Sequence, residues 1–261
     1  MKKQSFYTIS FIAFSFFLVL NGCKTNEGYT AKSNTIKIDS TLNSLESTKT
    51  FIQPYKESLD AEMNEVLVYS EKAMIKGTPE SELGNFVADL SLKIITEKFP
   101  EANIDFCLLN NGGLRTSLPQ GAITRGKIFE LMPFDNELVI VTINRDALNM
   151  LVGYLYREGG QPISKGITLV EYIEMRSDVM DAKFLIKESK YRKNETFQIL
   201  TTDYLAGGGD KMYFFLNPIK IENTQLKLRD AIIEHCIEEH KKGNKINAEL
   251  DERIFIHKIN K

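Results

Sequence analysis

The stretch CLLNNGGLRTSL, residues 107–118, sets an apolar run directly against two asparagines, two glycines and an arginine. The apolar part reads as the end of a strand, IDFCLLN over residues 104–110. Adjacent Gly112 and Gly113 free the backbone for positive φ and let a ligand approach the main chain closely. Asn110 brings a donor pair and an acceptor, which suits the edge of a nucleobase, and Arg115 brings a planar fork for phosphate, carboxylate or vicinal hydroxyls. The alternative is a plain tight turn with a solvated arginine, because Asn-Asn-Gly-Gly is a common turn composition.

A second glycine cluster follows another strand. In TTDYLAGGGDKMYFF, residues 201–215, Tyr204 precedes Asp210 by six residues with three glycines between them. A tyrosine ring can stack on a base, and a carboxylate can accept from two ribose hydroxyls. A hairpin turn with core aromatics would use the same residues. A third cluster, LMPFDNELVIV, places Phe134 after Pro133 at the mouth of a long strand, where it serves as a ligand platform or as core.

Working outward, YKESLDAEMN (residues 55–64) predicts a short helix and EVLVYSEKAM (65–74) a strand, with a weak strand possible at Thr35 to Ile38. In GTPESELGNFVADLSLKIITEKF, Phe86, Leu90 and Ile94 recur at four-residue spacing and mark one buried helix face. Thr124 can cap a helix over RGKIFELM, ELVIVTIN is a β-branched strand, and RDALNMLVGYLYREGG is a helix closed by glycine. Later strands are expected at ITLVEYIEM, KFLIKE and TFQILTTDYL, then a helix over TQLKLRDAIIEHCIEEHKKG and a strand at RIFIHKI. The expected class is α+β, mixed α/β layers in one domain.

Composition narrows the rest. The 261 residues are 43% hydrophobic and 26% charged, which fits a globular chain with a sizeable core. The net charge of -2, with both signs interspersed, gives no nucleic-acid footprint. The first residues, MKKQSFYTISFIAFSFFLVLNGC, have the layout of a bacterial export signal, too short for a confident membrane span. LNGC resembles a lipobox, which would leave a lipidated Cys23 anchoring the chain to a membrane of the cell envelope; an ordinary signal peptide is the alternative. The expected organisation is a signal over 1–22, the lipidated cysteine and a flexible tether over 23–50, and the domain over 51–261. Cys107 and Cys236 then remain, as one disulfide or as two buried thiols.

Taken in order, ESELGNFVADL, NNGGLR, MPFDNELV and YLAGGGD resemble the C-terminal, substrate-binding domain of the 5′-nucleotidase and UDP-sugar hydrolase family, over nearly all the chain after the tether. The resemblance implies that Phe134 and Tyr204 sandwich a nucleobase, that Asn110 contacts the base, and that Arg115 holds the ribose or phosphate side. It implies ribose binding by Asp210 and loop-shaping backbone at Gly112, Gly113, Gly208 and Gly209. Two departures stand out: Lys76 where members often carry an arginine before LGN, and Lys211 where glycine usually follows the aspartate.

Full-length members carry a metallophosphatase domain with a two-metal site built in D-x-H and G-N-H-[DE] motifs. None of the three histidines here, His235, His240 and His257, lies in such a motif. In HCIEEH the five-residue spacing turns the second histidine about 140° from the first, so a solvated helix face is expected rather than a metal site. The expectation is therefore a substrate-recognition subunit of a split phosphohydrolase, with no catalytic residue or metal of its own and with divalent metals on a partner metallophosphatase. A non-catalytic nucleoside-binding envelope lipoprotein, or a degenerate domain kept as an interaction surface, are the alternatives.

Overall fold

The computed structural model describes residues 33–39, 42, 45–176, 179–186 and 194–255. The expected signal peptide and Cys23 lie outside the described residues. The chain divides into two units between Phe51 and Ile52. In the first, residues 33–38 have no regular structure, so the strand expected at Thr35 to Ile38 does not form; Ile36 and Ile38 are exposed and no sheet holds them. Helix α1 (Glu46–Met63) starts nine residues before the predicted helix and takes in the last residues of the expected tether. It buries no residue, and pairs such as Lys56–Asp60, 2.6 Å apart on successive turns, brace it.

The second unit is organised by a four-stranded sheet. β1 (Val66–Ser70) leads to α2 (Glu82–Lys98), whose N-cap Ser81 accepts from the Gly84 N–H at 3.0 Å and whose buried face carries Phe86, Leu90 and Ile94 as their spacing requires. β2 is short, Phe106–Cys107, followed at Leu108 by a single bridge to Ile163. β3 (Gly121–Thr124) pairs antiparallel with β1, and Thr124 caps α3 (Arg125–Leu131). β4 (Glu137–Asn144) runs into α4 (Arg145–Arg157), where Asn144 Oδ1 accepts from the Ala147 N–H at 2.9 Å. β5 (Leu169–Arg176) and β6 (Val179–Ile186) form a hairpin; the last residues of the predicted KFLIKE strand fall outside the described residues. β7 (Thr196–Thr202) precedes a helical turn, α5 (Asp203–Ala206), and β8 (Lys220–Lys227) precedes α6 (Leu228–Lys241). β9 (Ile254–Phe255) lies parallel to β5, and residues 256–259 of its predicted span are outside the described residues.

The order in the main sheet is β2-β7-β4-β8, with β2 parallel to β7 and β4 antiparallel to both of its neighbours. Side chains alternate between two cores. Cys107, Leu109, Leu138, Ile140 and Leu200 pack on one face beneath α2 and α6, while Phe106, Leu108, Val139, Val141, Phe197 and Ile199 pack on the other beneath α4. Burial on both faces explains why these strands read as unbroken apolar runs. Antiparallel β4 brings its N-terminal end to the edge where β2 and β7 have their C-terminal ends, as the Leu138↔Thr202 pairing shows.

Three sequence readings need correction. The helix expected from Thr224 begins at Leu228, because residues 220–227 pair with β4 and Thr224 Oγ1 donates to the Leu138 carbonyl at 2.7 Å. The TFQILTTDYL strand stops at Thr202, whose side chain caps α5 and puts Tyr204 on a helical turn. His235 is half-buried against Phe86, ring centroids 5.7 Å apart, rather than on a solvated face. Cys107 and Cys236 are both free and buried, so the disulfide alternative is not the one adopted; burial raises the Cys107 thiol well above its usual range and pushes Cys236 up to about 12.

Two measurements check this packing. Leu200→Ala, at a fully buried position, is expected to lower unfolding free energy by about 2–5 kcal/mol in urea titration, whereas Ile219→Ala, at an exposed one, stays within about 0.5 kcal/mol. Burial lowers the His235 pKa below its usual 6.5, so the unfolded chain binds the extra proton first as pH falls. The stability this contributes is present above pH 6.5 and is lost below it, and His235→Leu should flatten that part of the stability–pH curve.

Candidate functional site

The three glycine- or proline-marked segments all leave the same edge of the main sheet: residues 110–115 after β2, residues 132–136 before β4, and residues 203–212 after β7. They enclose a cavity of about 280 Å³. Seven of the nine predicted binding residues line it: Asn110, Gly112, Gly113, Arg115, Phe134, Tyr204 and Asp210. Gly208 and Gly209 stand outside the lining and shape the loop behind it.

In the first loop, glycine is required for proximity rather than for positive φ. Neither Gly112 nor Gly113 has positive φ, contrary to expectation. A Cβ on Gly113 would lie 2.7 Å from Asn110 Oδ1, and one on Gly112 would lie 3.3 Å from Asp210 Oδ2. Asn110 is buried, and its Nδ2 donates to Asp210 Oδ2 at 2.6 Å, joining the first loop to the third. Arg115 donates back to the Gly112 carbonyl at 3.2 Å, with its guanidinium carbon 5.9 Å from the Phe134 ring centroid. Lys76, at the position where an arginine was expected, donates to the Leu114 carbonyl at 2.8 Å and to the Asn111 carbonyl at 3.4 Å, so it buttresses the loop.

The Phe134 loop is held from beneath by Arg229 in the first turn of α6. This buried guanidinium donates to the carbonyls of Met132 and Phe134, each at 3.4 Å, pairs with the Asp135 carboxylate, and stacks 4.4 Å from the Phe129 ring centroid. Arg229 and Lys227 together hold the Asp135 carboxyl below its usual range. Phe134 itself is 41% exposed and Tyr204 47%, so neither ring is spent on the core.

Tyr204 sits on α5, where Thr202 Oγ1 accepts from the Leu205 N–H. Asp203 Oδ1 accepts from its neighbour's N–H at 2.7 Å and from the Glu137 N–H at 3.1 Å, which ties α5 to the start of β4. Gly208 takes φ +85°, and a Cβ on Gly209 would lie 2.5 Å from Tyr204 Cε1, so the ring needs that glycine. The Tyr204 hydroxyl donates to Asp210 Oδ1 at 2.8 Å, and this bond to the carboxylate raises the tyrosine pKa. Two aromatic faces, a carboxylate, an amide and a guanidinium thus converge, a set that can grip a flat heterocycle and a polyhydroxylated or anionic tail.

Residues 65–217 match the family model for the 5′-nucleotidase, C-terminal domain. The chain belongs to the 5′-nucleotidase C-terminal domain family. Over 242 residues it is 26% identical to the trifunctional nucleotide phosphoesterase protein YfkN of Bacillus subtilis (strain 168), a match covering 86% of this chain and 16% of that protein. It is 23% identical over 188 residues to a 5′-nucleotidase of Vibrio vulnificus (strain CMCP6), covering 69% of this chain and 32% of the relative. In fold it is similar to the 5′-nucleotidase precursor of Thermus thermophilus, with a TM-score of 0.61 at 21% identity over 80% of this chain and 43% of that one. The chain therefore spans less than half the length of these relatives.

Reading the sequence left out several residues of this family domain's site. Asn136 also lines the cavity, two residues after Phe134 within the quoted motif. Arg229, Lys76 and Asp203 act on loop carbonyls and amides, and their sequence neighbourhoods carry no signal of that. Among the described residues no group of three His, Cys, Asp or Glu side chains is placed to hold a metal ion. A larger cavity of about 500 Å³ lies between α2, α6 and residues 245–253, but its four cations and four carboxylates set up no field of one sign, and several pair with each other.

Removing the Arg229 guanidinium leaves the Met132 and Phe134 carbonyls without their side-chain donor and Asp135 with Lys227 alone. Arg229→Met is expected to lower stability by about 1–3 kcal/mol in thermal or urea unfolding, while Asp135→Asn, at the exposed end of the pair, changes it little.

Proposed function

We propose that this chain is the nucleoside- or nucleotide-recognition subunit of a split 5′-nucleotidase-type phosphohydrolase, held at a bacterial envelope membrane by a lipid on Cys23. The observation that carries this reading is the cavity where Phe134 and Tyr204 meet Asn110, Arg115 and Asp210. A base fits between flat rings because every nucleobase has a π-face. Asn110 and Asn136 offer amide donors and acceptors to its edge, Asp210 accepts from ribose hydroxyls, and Arg115 faces the phosphate side. Support also comes from the family, since two of the relatives are named a trifunctional nucleotide phosphoesterase and a 5′-nucleotidase.

The residues of this chain would bind and orient the substrate. A partner metallophosphatase subunit, carrying the divalent metals, would supply the attack on phosphorus. Gly208 and Gly209 would serve as backbone that lets Tyr204 and Asp210 come together. A nucleoside-binding lipoprotein with no catalytic partner uses the same cavity and differs only in what accompanies it.

Calorimetric titration of the full chain in detergent with adenosine and AMP tests the cavity. Binding is expected, and Tyr204→Ala should weaken it by on the order of 1–3 kcal/mol, the value of one base–aromatic stack. Binding that the substitution leaves unchanged, or no binding to any nucleoside or nucleotide, rejects the reading. Co-purification of a metallophosphatase from native membranes separates the split enzyme from the lone binder.

A further inference from the structure

The residue at the centre of the cavity is held in an unusual conformation. Asp210 has φ +50° and ψ +31°, and Lys211 after it has φ +63°. Left-handed backbone of this kind is uncommon outside glycine and persists where the surroundings hold it in place. Three side chains do so at Asp210. Asn110 Nδ2 donates to one carboxylate oxygen and the Tyr204 hydroxyl to the other, and that same hydroxyl accepts from the Asp210 N–H at 3.3 Å. The third is Tyr154, whose hydroxyl donates to the Asp210 main-chain carbonyl at 3.0 Å.

Tyr154 differs from the other two. It belongs to α4, is 4% exposed, packs its ring at 63° to Phe214 with centroids 5.5 Å apart, and does not line the cavity. It is fixed by the core on the far side of the loop, so its hydroxyl is a stationary point from which the Asp210 peptide hangs. Each Asp210 carboxylate oxygen has one lone pair occupied by a protein donor and one left over. Two leftover acceptors on neighbouring oxygens match two adjacent hydroxyl donors, provided the carboxylate does not swing.

We propose that Tyr154 is a positioning residue: its hydroxyl holds Asp210 in the left-handed conformation that presents the carboxylate to a vicinal diol, and so it sets the preference for ribose over sugars lacking that diol. The proposal rests on the nucleoside-binding reading for its ligand but not for its tether. Burial pushes the Tyr154 hydroxyl up to about 12, so it remains a donor at neutral pH.

Tyr154→Phe removes one oxygen and keeps the ring. In the ligand-free full chain, amide hydrogen exchange at residues 210 and 212 is expected to speed up about tenfold or more, with α4 amides unchanged; unchanged exchange at 210 and 212 overturns the tether whether or not any nucleoside binds. With ligand, Tyr154→Phe should weaken adenosine about five- to tenfold and 2′,3′-dideoxyadenosine less than twofold. Equal losses for both ligands would reduce Tyr154 to a packing role. A wild-type chain that binds neither defeats the nucleoside reading, and the exchange result alone then decides the tether.

Discussion

The sheet β2-β7-β4-β8 must be covered on both faces, and the rest of the molecule follows from that requirement. Alternate residues of β4 and β7 face opposite cores, so helices lie on each side of the sheet's centre. The candidate site lies at the edge of the sheet where strands end. Because β2 and β7 are parallel and β4 opposes them, one edge gathers two loops that leave strands and one that enters. Convergence of residues about a hundred positions apart, such as Asn110 and Asp210, is a product of strand direction.

Loops at such an edge carry backbone groups that no ladder satisfies, and each must find another partner. Here the partners are charged side chains from beneath: Arg229 under Met132 and Phe134, Lys76 under Asn111 and Leu114, Asp203 under Tyr204 and Glu137. These groups stiffen the loops without entering the cavity. They leave the cavity lining free to be chosen for its chemistry.

The same distinction explains what the sequence made legible. Four-residue spacing exposed helix α2, β-branched residues exposed strand β4, closing glycines marked the end of α4, and the cap Thr124 was visible before a helical pattern. Seven of the residues named from the motifs line one cavity, where glycines and aromatics answer to local steric demands. Strand β8 was missed because KIENTQLK has neither alternation nor a turn signal, and only its pairing with β4 makes it a strand. Arg229 and Tyr154 were illegible for a related reason. They act on main-chain carbonyls 56 to 97 residues away, and a carbonyl has no letter in the sequence.

The bond from the Glu137 amide to Asp203 joins the bases of the two segments that carry Phe134 and Tyr204. It is a cross-brace between the jaws of a vice, set by backbone ladders that no ligand touches. The spacing of the two segments at their bases is then a property of the fold. Changes at the rim, at residues such as Asn136 and Arg115, leave this brace untouched, whereas a change at Asp203 removes it and frees the two segments from each other at their roots.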